Sequence, residues 1–263
     1  MRLVISTIFI ILMYAAVLYL GDTSAIVTQI ARLDATDLIL GTAFTTLALF
    51  FEFLRWAAYM RDLHASLPLT ANIRIFLSGL AFSFLPSKSG ELMRYHLLRK
   101  ENIRLAKSLP IHFISNMTNL LVVALLASPI LIELSPLAFI ITIALVLVFF
   151  VGLQAPLYIH IGTWLHKKTR VRIFKELVVA IKAARKLMHP RTHLIALLTT
   201  TLSYLSMAGV IFVISQALGI DTPLFILFSL YLLSLIIGVI SMLPGGVGAV
   251  EGSAILFYSQ FMD

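Results

Sequence analysis

Apolar residues in this chain come in long runs, separated by short polar stretches rich in Lys and Arg. A helix rises 1.5 Å per residue, so about 20 apolar residues cross a bilayer core of roughly 30 Å. Six runs meet that length: Leu3–Leu20, Leu38–Met60, Leu109–Leu134, Leu137–Ile159, His193–Leu218 and Leu224–Leu243. Ser135-Pro136 divides the third from the fourth. Two further runs, Ile75–Leu85 and Ala249–Phe261, are too short to cross and are predicted to enter the membrane only part way. The pattern predicts an all-α, polytopic transmembrane helix bundle of about six spans plus two re-entrant or broken half-helices. It reads as a single integral membrane domain over residues 1–263, with a re-entrant element at 75–99 and a Gly-rich broken helix at 243–261. Leu3–Leu20 follows one Arg and precedes no A-x-A cleavage signal, so it is read as a retained span rather than a signal peptide.

The polar stretches set the orientation. Nine basic residues fall from Arg55, near the end of the second span, to Lys107 before the third, and nine from Lys167 to Arg191, between the fourth and fifth. Arg2 precedes the first span, and Arg32 alone has the opposite parity, beside Asp22, Asp34 and Asp37. Cytoplasmic loops carry the excess of Lys and Arg, so this asymmetry predicts a multi-pass protein of the cytoplasmic membrane with its N-terminus inside. The second basic stretch also has helical periodicity. Val171, Phe174, Val178, Ile181 and Met188 alternate with Lys175, Lys182, Arg185 and Lys186, predicting an amphipathic helix at 168–189 on the cytoplasmic leaflet.

Composition agrees. The chain is 60% hydrophobic and 12% charged with a mean hydropathy of +1.01, whereas soluble domains are about 25% charged. The net charge of +8 is accounted for by the inside loops and does not call for a nucleic-acid partner. With no cysteine, disulfides, thiol chemistry and Cys-ligated zinc are excluded.

Two segments stand out chemically. In Leu85-Pro86-Ser87-Lys88-Ser89-Gly90-Glu91-Leu92-Met93-Arg94, Pro86 and Gly90 break one helix and allow another to start. A helix N-terminus with Lys88 and Arg94 beside it suits an anionic phosphate. In Leu243-Pro244-Gly245-Gly246-Val247-Gly248-Ala249-Val250-Glu251-Gly252, three glycines free backbone groups that must be satisfied by protein or cavity water. Both share Leu-Pro, a Gly four residues after the Pro, and a Glu soon after, as expected of paired broken helices around a transporter site. The candidate substrate-binding residues are Pro86, Lys88, Gly90, Glu91 and Arg94 with Pro244, Gly245, Gly246, Gly248 and Glu251. Secondary candidates lie within the spans: Glu52 and Arg55, three residues apart and able to pair, and Asn116 and Asn119 on a polar stripe that also fits interhelix hydrogen bonding. Arg55, near a helix end, is expected to snorkel to the interface and act as an anchor. No metalloprotease, nucleophile-elbow, Walker or dinucleotide motif is present, so no catalytic residue, metal or cofactor is assigned.

At these motifs the chain resembles the lysylphosphatidylglycerol synthase transmembrane region, the flippase-like membrane family. The resemblance rests on FLSGLAFSFLPSKSGELMRYHLL and SMLPGGVGAVEGSAILF, and on the basic loop between them. It implies a domain that translocates or handles lipid. Bifunctional relatives add a soluble domain that attaches the amino acid; nothing here resembles it, so synthesis is not implied. The family often carries Glu-Arg-x-x-Asp where this chain has Ser115-Asn116-Met117-Thr118-Asn119, which puts any ion pair at that place in doubt. Its pattern also runs on to a further span, whereas this sequence ends at Asp263.

The expected function is therefore translocation of an anionic phospholipid or polyprenyl-phosphate-linked lipid by a transporter, not an enzyme. Membrane lipids would be its partners. The alternatives are a membrane-embedded lipid-phosphate transferase, for which Glu91 is the evident base, and a non-catalytic partner that recruits a soluble lipid-modifying enzyme.

Overall fold

The computed structural model describes residues 23–63, 65, 67–81, 89–154, 163–164, 172–241, 246 and 248–261. The described residues form helices and no strands. In order they are α1 (Thr23–Ile30), α2 (Ala35–Asp62), α3 (Leu69–Ala81), α4 (Ser89–Lys100), α5 (Leu105–Leu126), α6 (Ser128–Leu134), α7 (Pro136–Gln154), α8 (Arg172–Leu187), α9 (Pro190–Ala217), α10 (Leu224–Ile240) and α11 (Ala249–Phe261). Among them α2, α5 and α9 are long and apolar enough to cross a membrane. The predicted span Leu3–Leu20 lies outside the described residues.

Local chemistry sets the boundaries. At the start of α2, the Asp37 amide donates to Asp34 Oδ1 at 2.8 Å, and the Asp34 amide donates to Asp37 Oδ2 at 3.0 Å. This reciprocal box satisfies two donors that a helix start leaves open. Two helices close with left-handed residues that complete six-to-one and five-to-two bonds. Asn102 (φ 59°) ends α4, with Ile103 donating to the Leu98 carbonyl at 2.9 Å. Gly219 (φ 67°) ends α9, with Ile220 donating to the Ser215 carbonyl at 2.8 Å. Ser135 and Pro136 separate α6 from α7 as predicted, and Ala127 also interrupts the third span between α5 and α6.

The frame is the antiparallel pair α2–α9, each 28 residues and so roughly 42 Å long. Contacts run in opposite directions along the two helices. Phe44 fills the space a side chain at Gly209 would need, Ser203 donates to the Ala48 carbonyl at 3.1 Å, Arg55 reaches Thr200, and Thr192 donates to Asp62. The buried face of α9 is small and hydroxylic: Thr192, Ala196, Thr199, Thr200, Ser203 and Ser206. Its exposed positions include Leu194, Leu198, Leu202, Leu205 and Phe212. That inversion suits lipid, where small residues permit close helix approach and hydroxyls bond the preceding turn. Thr200, for example, donates to the Ala196 carbonyl at 2.6 Å.

Two apolar cores flank this seam. One joins the end of α2 to α3, α4, α8 and the starts of α5 and α9 through Trp56, Tyr59, Met60, Phe76, Leu98, Ile114 and Leu187. The other joins α5, α6, α9 and α10, with Phe257 and Tyr258 of α11 against it. In the first core α8 departs from expectation. The amphipathic periodicity is present, but Val178, Ala183, Ala184 and Leu187 are buried, three of them in that core. Those four positions are covered by protein, while Leu177, Lys175, Lys182 and Lys186 stay exposed. The short helix α3 also starts six residues before Ile75, because Thr70, Asn72 and Arg74 are helical without being apolar.

Candidate functional site

Arg55 lies inside the bundle, 5% exposed. Its Nη1 donates to Asn119 Oδ1 of α5 and, at 2.6 Å, to Thr200 Oγ1 of α9. Its Nη2 meets Glu52 Oε1 at 3.1 Å. Three helices thus converge on one guanidinium. The anchoring role expected of Arg55 is overturned. Its acceptors come from neighbouring helices, so the charge is satisfied internally and has no need to snorkel.

A cavity of about 50 Å³, room for a few waters, adjoins this cluster. Glu52, Arg55, Trp56 and Tyr59 of α2 line it, with Phe76 of α3, Arg94 and Tyr95 of α4, and Ser108, Ile111, His112 and Ser115 of α5. The Arg94 guanidinium carbon sits 5.2 Å from the ring centres of both Trp56 and Phe76. Its Nη2 donates to the Phe76 carbonyl at 3.2 Å. Those contacts hold a cation over aromatic faces. Trp56 is itself fixed, because its Nε1–H donates to Asn72 Oδ1 at 2.7 Å. Gly79 provides the remaining space, since a Cβ there would collide with the Arg94 side chain.

The fold therefore brings Arg94 of the first motif to the secondary candidates Glu52 and Arg55, with Asn119 bonded behind them. Asn116 stands apart: it is exposed and bonds His112 one turn earlier at 2.9 Å. Gly90 and Glu91 stand in the first turn of α4. Pro86 and Lys88 lie outside the described residues, as do Pro244 and Gly245. Gly246 and Gly248 adopt φ of 70° and 87°, the left-handed conformation that favours glycine. A Cβ on Gly246 would stand 3.2 Å from Gly238 Cα, so backbone meets backbone where this segment crosses α10. Glu251 is exposed, and its Oε2 accepts from the Gly248 amide at 2.7 Å, capping α11. None of the described residues of this second motif lines the cavity.

Thr200 and Trp56 adjoin this cluster without belonging to either sequence motif. Three consecutive threonines, 199–201, inside an apolar span were the available signal for the former. For Trp56 the signal was its place beside Arg55. Among the described residues no three His, Asp or Glu side chains gather as a metal site would require.

This arrangement defines a polytopic helical membrane protein with a small, partly open cavity lined by two arginines and aromatic rings. The chain belongs to the lysylphosphatidylglycerol synthase transmembrane region family, whose pattern matches residues 2–263. That family comprises membrane proteins related to lipid handling. A protein of Methanothermobacter thermautotrophicus described as a UPF0104 membrane protein is 43% identical over 49 residues. The match takes in 19% of this chain and only 14% of that relative's length. No solved structure matches the chain.

Proposed function

We propose that this protein translocates an anionic lipid across the cytoplasmic membrane, with the N-terminus and basic loops on the cytoplasmic side. The observation that carries the reading is the pairing of Arg94 with the Glu52–Arg55 cluster around one cavity inside the bundle. Moving an ion-sized charge into a medium of dielectric about 4 costs of order 20 kcal/mol in the idealised limit. Fixed guanidinium groups at the cavity lower that barrier for a phosphate. Arg94 and Arg55 face the headgroup, Glu52 tunes the field around it, and the acyl chains remain against the apolar exterior. Gly246, Gly248 and Glu251 support the packing and start of α11 against α10. The family's relation to lipid handling favours the same reading.

The test is a leaflet-resolved assay in proteoliposomes with headgroup-labelled anionic, zwitterionic and polyprenyl-phosphate lipids. The wild-type protein moves the anionic class, and Arg94→Ala, folded by size-exclusion chromatography, does not. Undiminished movement by Arg94→Ala would remove that residue from the site.

A further inference from the structure

The partners of Arg55 divide into two kinds. Asn119 and Thr200 are neutral, both bond Nη1, and Thr200 is itself buried at 1% exposure. Glu52 is charged, bonds Nη2 at the longer distance of 3.1 Å, and leaves 31% of its side chain exposed. The neutral pair therefore holds the guanidinium in place without Glu52. The carboxylate is the partner free to exchange, and both residues of the ion pair line the cavity. A carboxylate and a phosphate present the same pair of anionic oxygens to a guanidinium. Among the described residues lining the cavity, Glu52 is also the only carboxylate, beside two guanidinium groups.

We propose that Glu52 is an internal counter-ion, seated where a lipid phosphate binds Arg55, and that its charge makes the cavity favour singly charged phosphodiesters over doubly charged phosphomonoesters. This rests on the translocation reading and deepens it. An incoming phosphodiester takes Nη2 and displaces Glu52 toward its exposed side. The displaced carboxylate remains close by and repels a second negative charge, which penalises a monoester. With the headgroup gone, Glu52 returns, so the buried Arg55 is not left unpaired between cycles.

The experiment compares phosphatidylglycerol with phosphatidic acid at pH 8, both acyl-labelled with a dithionite-quenchable fluorophore, in proteoliposomes of the full chain. Wild type is expected to move phosphatidylglycerol faster. Glu52→Gln, which keeps the shape and removes the charge, is expected to shift the rate ratio toward phosphatidic acid by about tenfold or more. An unchanged ratio in folded Glu52→Gln overturns the proposal and leaves translocation standing. Wild type moving phosphatidic acid as fast as phosphatidylglycerol also overturns it, without any variant. Wild type moving neither lipid overturns the translocation reading, and the counter-ion falls with it.

Discussion

The Arg94 side chain occupies the space in which a Cβ on Gly79 would stand. The two residues belong to the paired short helices α3 and α4, and the fit fixes Arg94 against the rings of Trp56 and Phe76. Gly79→Ala should expel the guanidinium from this slot. Glycine inside a helix costs about 1 kcal/mol relative to alanine, and a cation–π contact is worth about 0.5–2 kcal/mol. The two effects oppose each other. Thermal unfolding in detergent should therefore change little, while lipid flux falls to the level of Arg94→Ala. Wild-type flux in Gly79→Ala would show that the seat of Arg94 does not matter.

Thr200 and Arg55 should couple energetically. Thr200→Val removes an acceptor from a buried charged donor, which costs about 1–3 kcal/mol. In an Arg55→Met background no donor is orphaned, and the same change should cost less than about 0.5 kcal/mol. Denaturation of the two single variants and the double variant measures the difference. Equal costs in both backgrounds would mean that Thr200 contributes through packing alone.

How far these contacts were legible in the sequence depended on their range. The end of the chain was read residue for residue, because Gly248 opens α11 and the apolar run from Ala249 has no competing signal. The break at Ser135-Pro136 was equally local. The start of α3 was not, since an apolar window passes over Asn72, whose side chain turns inward to Trp56. The place of Arg55 is hidden for a deeper reason. Depth along its own helix points to snorkelling, whereas its acceptors lie on α5 and α9, and Thr200 is 145 positions away. Helical periodicity likewise marks α8, but periodicity shows only that a face is apolar and not whether lipid or α5 will cover it. The sequence pairs Glu52 with Arg55 but gives no link from either to Arg94; their meeting at one cavity is a property of the tertiary fold.

Glu251 offers a direct separation of capping from charge. Its carboxylate accepts from the Gly248 amide at the start of α11. Glu251→Gln retains an acceptor oxygen, so it should unfold within about 0.5 kcal/mol of wild type and keep most of the flux. Glu251→Ala removes the cap and should cost about 1 kcal/mol. If Glu251→Gln instead keeps its stability and loses transport, the charge is meeting a substrate group rather than serving the helix.

Sidedness follows from the α2–α9 pair. At one end Arg32 reaches the Leu218 carbonyl at 3.4 Å; at the other Thr192 bonds Asp62. Each helix is long enough to put those ends on opposite faces of a bilayer core of roughly 30 Å. Lys100 and Lys182 adjoin Leu98 and Ala183, which share a core with Met60 and Leu63 at the basic end, whereas Asp221 follows Leu218, the residue Arg32 reaches. All four are exposed, and the chain has no native cysteine to obscure single labels. The Lys and Arg asymmetry directs the basic end to the cytoplasm. In intact cells with an exposed outer face, a membrane-impermeant maleimide should label Arg32→Cys and Asp221→Cys. Lys100→Cys and Lys182→Cys should react only after permeabilisation. The reverse pattern would invert the orientation and place the access route of Arg94 on the outer side. A mixed pattern within either pair would break the assignment of α2 and α9 as full crossings, and with it the placing of the Arg55 cluster inside the membrane.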